Sequence, residues 1–157
     1  MKLSTGAVAA ISGINQGTLE TWVVKGIARP TVRGKGHGTA TYFDLMGTLA
    51  LTYGNAIRTI GIGSPLIEEI IAYLSGTTEE ELLGHFASGE TTPYPTPFGI
   101  VWLNPKDMPP QQHVVDGWVD DAMNLEKCLA HVKAEATRLA GAFKRGPKPR
   151  KLQLKVK

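Results

Sequence analysis

The chain has a single cysteine, Cys128, among 157 residues, so it can form no internal disulfide and no cysteine-based zinc cluster of its own. It also has no run near the roughly 18 uncharged apolar residues that a membrane-spanning helix requires. The opening stretch MKLSTGAVAAISG is interrupted by Gly and Ser where a signal peptide needs an unbroken apolar core. A cytoplasmic location with no membrane partner is therefore expected. Histidines are few, and His37, His85, His113 and His131 are scattered without building a cluster at metal-ligand spacing, so no metal site is expected.

Chemistry-bearing clusters are scarce as well. Gly34-x-Gly36-x-Gly38 with Lys35 is a glycine-rich loop, but it matches neither the Walker A pattern nor the dinucleotide fingerprint, and it precedes a β-prone stretch instead of a helix. Glu79, Glu80 and Glu81 follow Thr77 and Thr78, which places the carboxylates in a helix's first turn, where they offset the macrodipole. Two overlapping capping boxes are on offer there, Thr77 with Glu80 and Thr78 with Glu81. These acids read as helix-capping groups, so the expectation is a protein that is not an enzyme, with no catalytic residues and no cofactor.

What is present is a core and an uneven charge. Hydrophobic residues make up 42% of the chain, enough for one to two small globular domains. The net charge is only +3, but residues 1–60 carry six Lys/Arg against two Asp/Glu, residues 61–121 one against ten, and residues 122–157 ten against two. A polyanion is attracted to both ends of such a chain and repelled by its middle.

The stretch from Leu3 to Leu74 holds the main structural signal. LSTGAVAAISG reads as a helix of about two turns, with Ser4 or Thr5 as its cap, Val8 and Ile11 on one face, and Gly13 as its end. Asn15 caps a second helix that carries Thr18, Leu19, Trp22 and Val23; Gly26 stops it and Pro30 prevents a restart. Two short helices around a Gly-containing turn make a helix-turn-helix candidate. Next come a basic, Gly-rich RGKGH over residues 33–37, a β-prone Thr39 to Phe43, and Asp44 capping another apolar-periodic run. That order predicts a winged helix-turn-helix with a small β-hairpin wing.

Here the sequence resembles the DNA-binding domain of the MerR family of bacterial transcription regulators. The residues that carry the likeness are Thr18, Leu19, Trp22, Lys25, Gly26, Ile27 and Pro30 in the second helix and its exit, then Asp44, Leu45, Leu49, Ile57, Arg58, Ile60, Gly61 and Ile62 after the wing, with Ile67 and Ile70 beyond. Two places depart from the family: Glu20 stands where an Arg is usual on the recognition helix, and Thr39, Ala40 and Thr41 stand where the wing usually carries a Tyr-Arg pair. The resemblance implies a second helix lying in the major groove of double-stranded DNA. Asn15, Gln16, Thr18 and Thr21 would lie nearest the bases, with Trp22, Lys25, Arg29, Arg33, Lys35, His37 and Tyr42 in the surrounding contact surface.

Beyond the wing, Asp44 to Arg58 reads as a helix despite Gly47 and Gly54, and SPLIEEIIAYL as another, with Pro65 at its first position and Leu66, Ile67, Ile70, Ile71 and Leu74 on one face. Residues 84–110 contain six prolines, which exclude a helix through most of the segment, while Phe98 to Leu103 suits one short strand. This segment reads as a hydrophobic clasp on its neighbours; the rival reading is a small effector pocket lined by Tyr94, Phe98 and Trp102. Val115, Trp118, Ala122, Leu125, Leu129, Val132, Ala136, Leu139 and Phe143 alternate at spacings of 3 and 4, which is a heptad seam. The alternative is an amphipathic helix lying on its own domain. Residues 145–157 are rich in Lys and Arg with no acid, and read as a disordered tail attractive to phosphates.

The sequence thus predicts a mainly α protein in four parts: a winged helix-turn-helix over 1–75, a helical and Pro-rich connector over 76–112, a dimerisation helix over 113–144 and a basic tail over 145–157. Following the MerR resemblance, the dimerisation helix is expected to pair as an antiparallel coiled coil through Trp118, Ala122, Leu125, Leu129, Val132, Ala136 and Leu139. The expected function is that of a homodimeric bacterial or phage transcription regulator acting on a palindromic operator. The alternative is a non-catalytic DNA-binding accessory factor of recombination or chromosome organisation.

Overall fold

The computed structural model describes residues 1–35, 40–104, 106 and 124–144. Over these residues the chain is mainly helical, with two small antiparallel sheets and no helix long and apolar enough to cross a membrane. Strand β1 (Leu3–Ser4) runs directly into helix α1 (Thr5–Ser12), whose first turn is capped by Ser4 Oγ accepting from the Ala7 N–H at 3.3 Å. Gly13 ends α1 at φ 71° and donates its N–H to the Ala9 carbonyl, a left-handed backbone that glycine takes without a Cβ penalty. Helix α2 (Gln16–Val24) starts two residues later, capped by Asn15 Oδ1 accepting from the Gly17 N–H at 2.9 Å.

The exit from α2 is as expected. Gly26 sits at φ 75°, and the N–H groups of Ile27 and Ala28 both turn back to the Trp22 carbonyl. The chain then extends past Pro30 to Val32, which pairs with Tyr42 through two backbone hydrogen bonds of 3.1 and 2.8 Å. Tyr42 and Phe43 form β2, which also pairs with β1 in the register Leu3 to Phe43 and Ser4 to Tyr42. The first residues of the chain and both ends of the basic loop are therefore closed at one place; Gly36 to Thr39, the tip of that loop, lie outside the described residues.

Helix α3 (Leu45–Thr59), capped by Asp44 Oδ1 on the Gly47 N–H at 2.7 Å, is the hub of the fold. Leu49, Ala50, Leu51, Tyr53 and Ile57 are all essentially solvent-free, so the helix is buried on several sides at once. Helix α4 (Ser64–Gly76) lies along it, with Ile67, Ile70, Ile71 and Leu74 inward. Gly54 is the contact point, for a Cβ built there would come within 2.6 and 2.7 Å of two Ile71 side-chain carbons. The residue that weakens α3 as an isolated helix is the one that lets α4 approach.

Helix α5 (Glu79–Ala87) begins with one of the two capping boxes the sequence offers. Thr78 and Glu81 form it reciprocally, while Thr77, released by the end of α4, donates its hydroxyl to the Tyr73 carbonyl instead. The backbone N–H of Thr78, together with its hydroxyl, holds the Glu81 carboxyl below its ordinary value.

Where the sequence predicts one strand there are two. β3 (Thr92–Thr96) and β4 (Gly99–Leu103) form a hairpin in the register Thr92 to Leu103 through Thr96 to Gly99. Pro93 and Pro95 are tolerated because β3 is an edge with a ladder on one side only. The hairpin is the expected clasp: buried Tyr53 donates its hydroxyl to the Pro93 carbonyl at 3.0 Å, Trp102 donates Nε1–H to the Tyr73 hydroxyl at 3.0 Å, and the Trp102 ring stacks on His85 at 3.9 Å. Phe98 is fully exposed at the turn.

In the last described element, α6 (Leu125–Lys144), the described part of the predicted seam faces the chain's own core. Leu125, Leu129, Val132 and Ala136 are buried within the chain, at most 4% exposed, because α6 lies against α1 and α3, and Leu139 packs at the edge of the same core. Helices α1 and α3 leave apolar surface that this stripe fills. Polar ties fix the docking: the Leu125 N–H donates to the Thr91 carbonyl at 2.8 Å, His131 Nε2 lies 3.3 Å from the Ile11 carbonyl oxygen, and Lys133 pairs with Glu79 of α5. The earlier seam positions Val115, Trp118 and Ala122, and the tail over 145–157, lie outside the described residues.

Candidate nucleic-acid interface

Helix α2 divides cleanly into an inner and an outer face. Leu19 is solvent-free and Trp22 and Val23 are half-buried against the core, whereas Asn15, Gln16, Gly17, Glu20, Thr21, Val24 and Lys25 are exposed. The helix is held from behind through Asn55 of α3, whose side-chain N–H donates to the Ser12 carbonyl at 3.0 Å. That bond fixes the turn between α1 and α2 to the hub, so the outer face is presented by a braced element.

Among the residues expected nearest the bases, the structure separates different states. Asn15 spends its side-chain oxygen on the cap but keeps its amide N–H groups. The Thr21 hydroxyl donates to the Gly17 carbonyl at 2.9 Å, leaving its oxygen as an acceptor. Gln16 donates Nε2–H to Glu20 Oε1 at 3.0 Å, one helical turn on. Thr18 is half-buried.

The cations expected to surround this face are free to serve it. Lys25, Arg29, Arg33 and Lys35 are exposed, and among the described residues none of them pairs with an acid. Arg33 and Lys35 leave the Val32–Tyr42 closure directly, and the Gly34 N–H donates to Thr41 Oγ1 at 3.2 Å, holding the base of the loop. His37 lies outside the described residues. Tyr42 is half-buried between Ser4 and Val32, so its backbone builds the closure.

One neighbour escapes sequence reasoning. Arg58, at the last turn of α3, lies 5.9 Å from the centre of the Trp22 ring, while its guanidinium donates to Asn55 Oδ1 at 2.9 Å. Trp22 is thus a platform between α2 and an exposed cation of α3. The MerR-like spacing contains Arg58, but no one-dimensional signal places it over a residue 36 positions earlier in the sequence.

The expected dimerisation residues that the structure describes are not brought to a free surface. Leu125, Leu129, Val132 and Ala136 face the chain's own core, Leu139 lies half-buried beside them, and Trp118 and Ala122 are outside the described residues. Next to this face, burial pushes the Cys128 thiol up to about 12, which makes it a poor nucleophile at neutral pH. No group of His, Cys, Asp and Glu among the described residues is arranged to hold a metal ion. No protein-family model matches the chain, and no curated protein matches it.

Proposed function

We propose that this chain is a sequence-specific, double-stranded-DNA-binding transcription regulator of the MerR-like winged helix-turn-helix type. The observation that carries the reading is the outer face of α2: an exposed row of Asn15, Gln16, Glu20, Thr21 and Lys25 on a helix whose opposite side, at Leu19, is solvent-free and whose entry turn is tied to α3 by Asn55. Polar side chains on a braced helix suit base edges in a major groove. Lys25, Arg29, Arg33 and Lys35, unpaired among the described residues, suit the flanking phosphates. Arg58 joins them as a phosphate contact positioned over Trp22.

A second reading is favoured by α6. Leu125, Leu129, Val132 and Ala136 are buried within the chain, so the described part of the stripe on which a homodimer and a palindromic operator were expected is already covered. An accessory factor of recombination or chromosome organisation, binding DNA as single units along an array of sites, needs no such stripe. Selection of bound duplexes from a random library, followed by footprinting on the selected DNA, tests both. The regulator reading predicts one compact site, and an array predicts an extended, repeating footprint. A library that converges on no sequence, with affinity equal for all duplexes, refutes sequence-specific readout.

A further inference from the structure

We infer that the Gln16–Glu20 pair on α2 selects a cytosine, which it recognises through the N4 amine in the major groove; the inference rests on the DNA-binding reading above. Glu20 is an exposed carboxylate on the face proposed to meet a polyanion, and among the described residues no cation neutralises it. Its recorded side-chain partner is Gln16, whose Nε2–H donates to Oε1 at 3.0 Å. A carboxylate so placed is repelled by phosphates, and a base edge can offset that only by offering a hydrogen-bond donor.

Two bases offer one in the major groove. Adenine presents its N6 amine beside the N7 lone pair of its own ring, while cytosine presents its N4 amine beside a C5–H on its own ring, its only acceptor neighbour being O6 of the paired guanine. A carboxylate has only acceptors, so against adenine one of its oxygens faces N7 lone pair to lone pair. Against cytosine the second oxygen can lie on the C5–H side, where it meets no such repulsion. Gln16 completes the match, because the amide N–H not given to Glu20 remains available for the O6 or N7 acceptors of the guanine paired with that cytosine. Acceptor and donor on one helical face therefore mirror the donor and acceptors of a single G·C pair. The internal bond holds both side chains in position before DNA arrives, which reduces the ordering cost on binding.

The test compares wild type, Glu20→Ala and Glu20→Gln in selections from a random duplex library, then measures affinities for the wild-type site and for the same duplex with the cytosine replaced by a 2-pyrimidinone nucleotide, which lacks the N4 amine. Glu20 is exposed and makes no core contact, and a thermal melt of each variant confirms folding. Wild type should hold one position at cytosine and lose about tenfold in affinity on removal of the amine. Glu20→Ala should lose the preference and be insensitive to the amine, while binding unrelated duplexes more tightly than wild type because a negative charge has gone. Glu20→Gln should shift the position toward adenine, whose donor and acceptor an amide matches. A cytosine preference that survives Glu20→Ala, or an equal loss on amine removal in both proteins, overturns the inference while leaving DNA binding intact. A wild-type selection that converges on no sequence overturns the sequence-specific reading on which the inference rests.

Discussion

Leu129→Ala distinguishes a helix that completes a core from one that joins two chains. Leu129 is 4% exposed, in line with Leu125, Val132 and Ala136, on the face of α6 that packs against α1 and α3. Truncating a leucine so enclosed removes its transfer free energy and leaves a cavity, a loss of about 2–5 kcal/mol. Against the roughly 5–15 kcal/mol that holds a domain of this kind together, the variant should unfold at clearly lower urea. The discriminating observation is concentration dependence. For intrachain packing, the urea midpoints of wild type and variant stay put over a hundredfold dilution. For a seam between chains, the same dilution changes apparent stability by about 2.7 kcal/mol, the mass-action value for a hundredfold change. Urea melts followed by circular dichroism at two concentrations, with light scattering alongside, make the measurement. A midpoint that tracks concentration, together with a Leu129→Ala protein that remains folded as a monomer, would refute burial of this stripe within the chain.

Gly54→Ala should destabilise the protein by up to about 2 kcal/mol, since an overpacking cost of about 1–3 kcal/mol against Ile71 exceeds the roughly 1 kcal/mol that alanine gains in helix propensity; a variant that melts higher than wild type in urea would show that α4 does not approach there. Asn55→Ala removes the bond to the Ser12 carbonyl, worth about 0.5–1.5 kcal/mol, and with it the bond from Arg58, and should weaken binding to a selected duplex more than Arg58→Ala does. Fluorescence anisotropy that leaves affinity unchanged contradicts the bracing role. Burial raises both the Cys128 thiol, to about 12, and the Tyr53 phenol. Above roughly pH 8.5 the unfolded chain releases the thiol proton that the fold retains. Stability should therefore fall as pH rises from there toward 12, and Cys128→Ala should reduce that fall. An equal alkaline loss in both proteins, measured by urea midpoints, argues against this origin.

Most of the helical architecture is legible in the sequence because it is written in local chemistry. Gly13 and Gly26 end helices where a left-handed backbone is required, Asp44 and Asn15 cap the helices they precede, and Pro65 opens α4. Choices between equal local options are not legible. Thr77 and Thr78 offer the same capping pattern, and only the point where α4 ends decides that Thr78 takes it. The periodic stripe in α6 reveals that one face is buried but not what covers it, because the apolar surface of α1 and α3 that receives it exists only after those helices have packed. The β3 strand is hidden by Pro93 and Pro95, which suit an edge with one free side. On the candidate interface, the sequence yields the outer face of α2 and the cations around the loop. It misses Arg58 over Trp22 and the internal bond from Gln16 to Glu20, since both are relations in space.

The most direct measurement is the affinity of four single alanine variants, at Asn15, Gln16, Thr18 and Thr21, for a duplex chosen by the wild-type protein and for an unrelated duplex at the same salt. If α2 reads bases, Gln16→Ala weakens the chosen duplex by about 1–3 kcal/mol while its affinity for the unrelated one holds. Unchanged affinity for the chosen duplex at all four positions would contradict DNA reading by this helix.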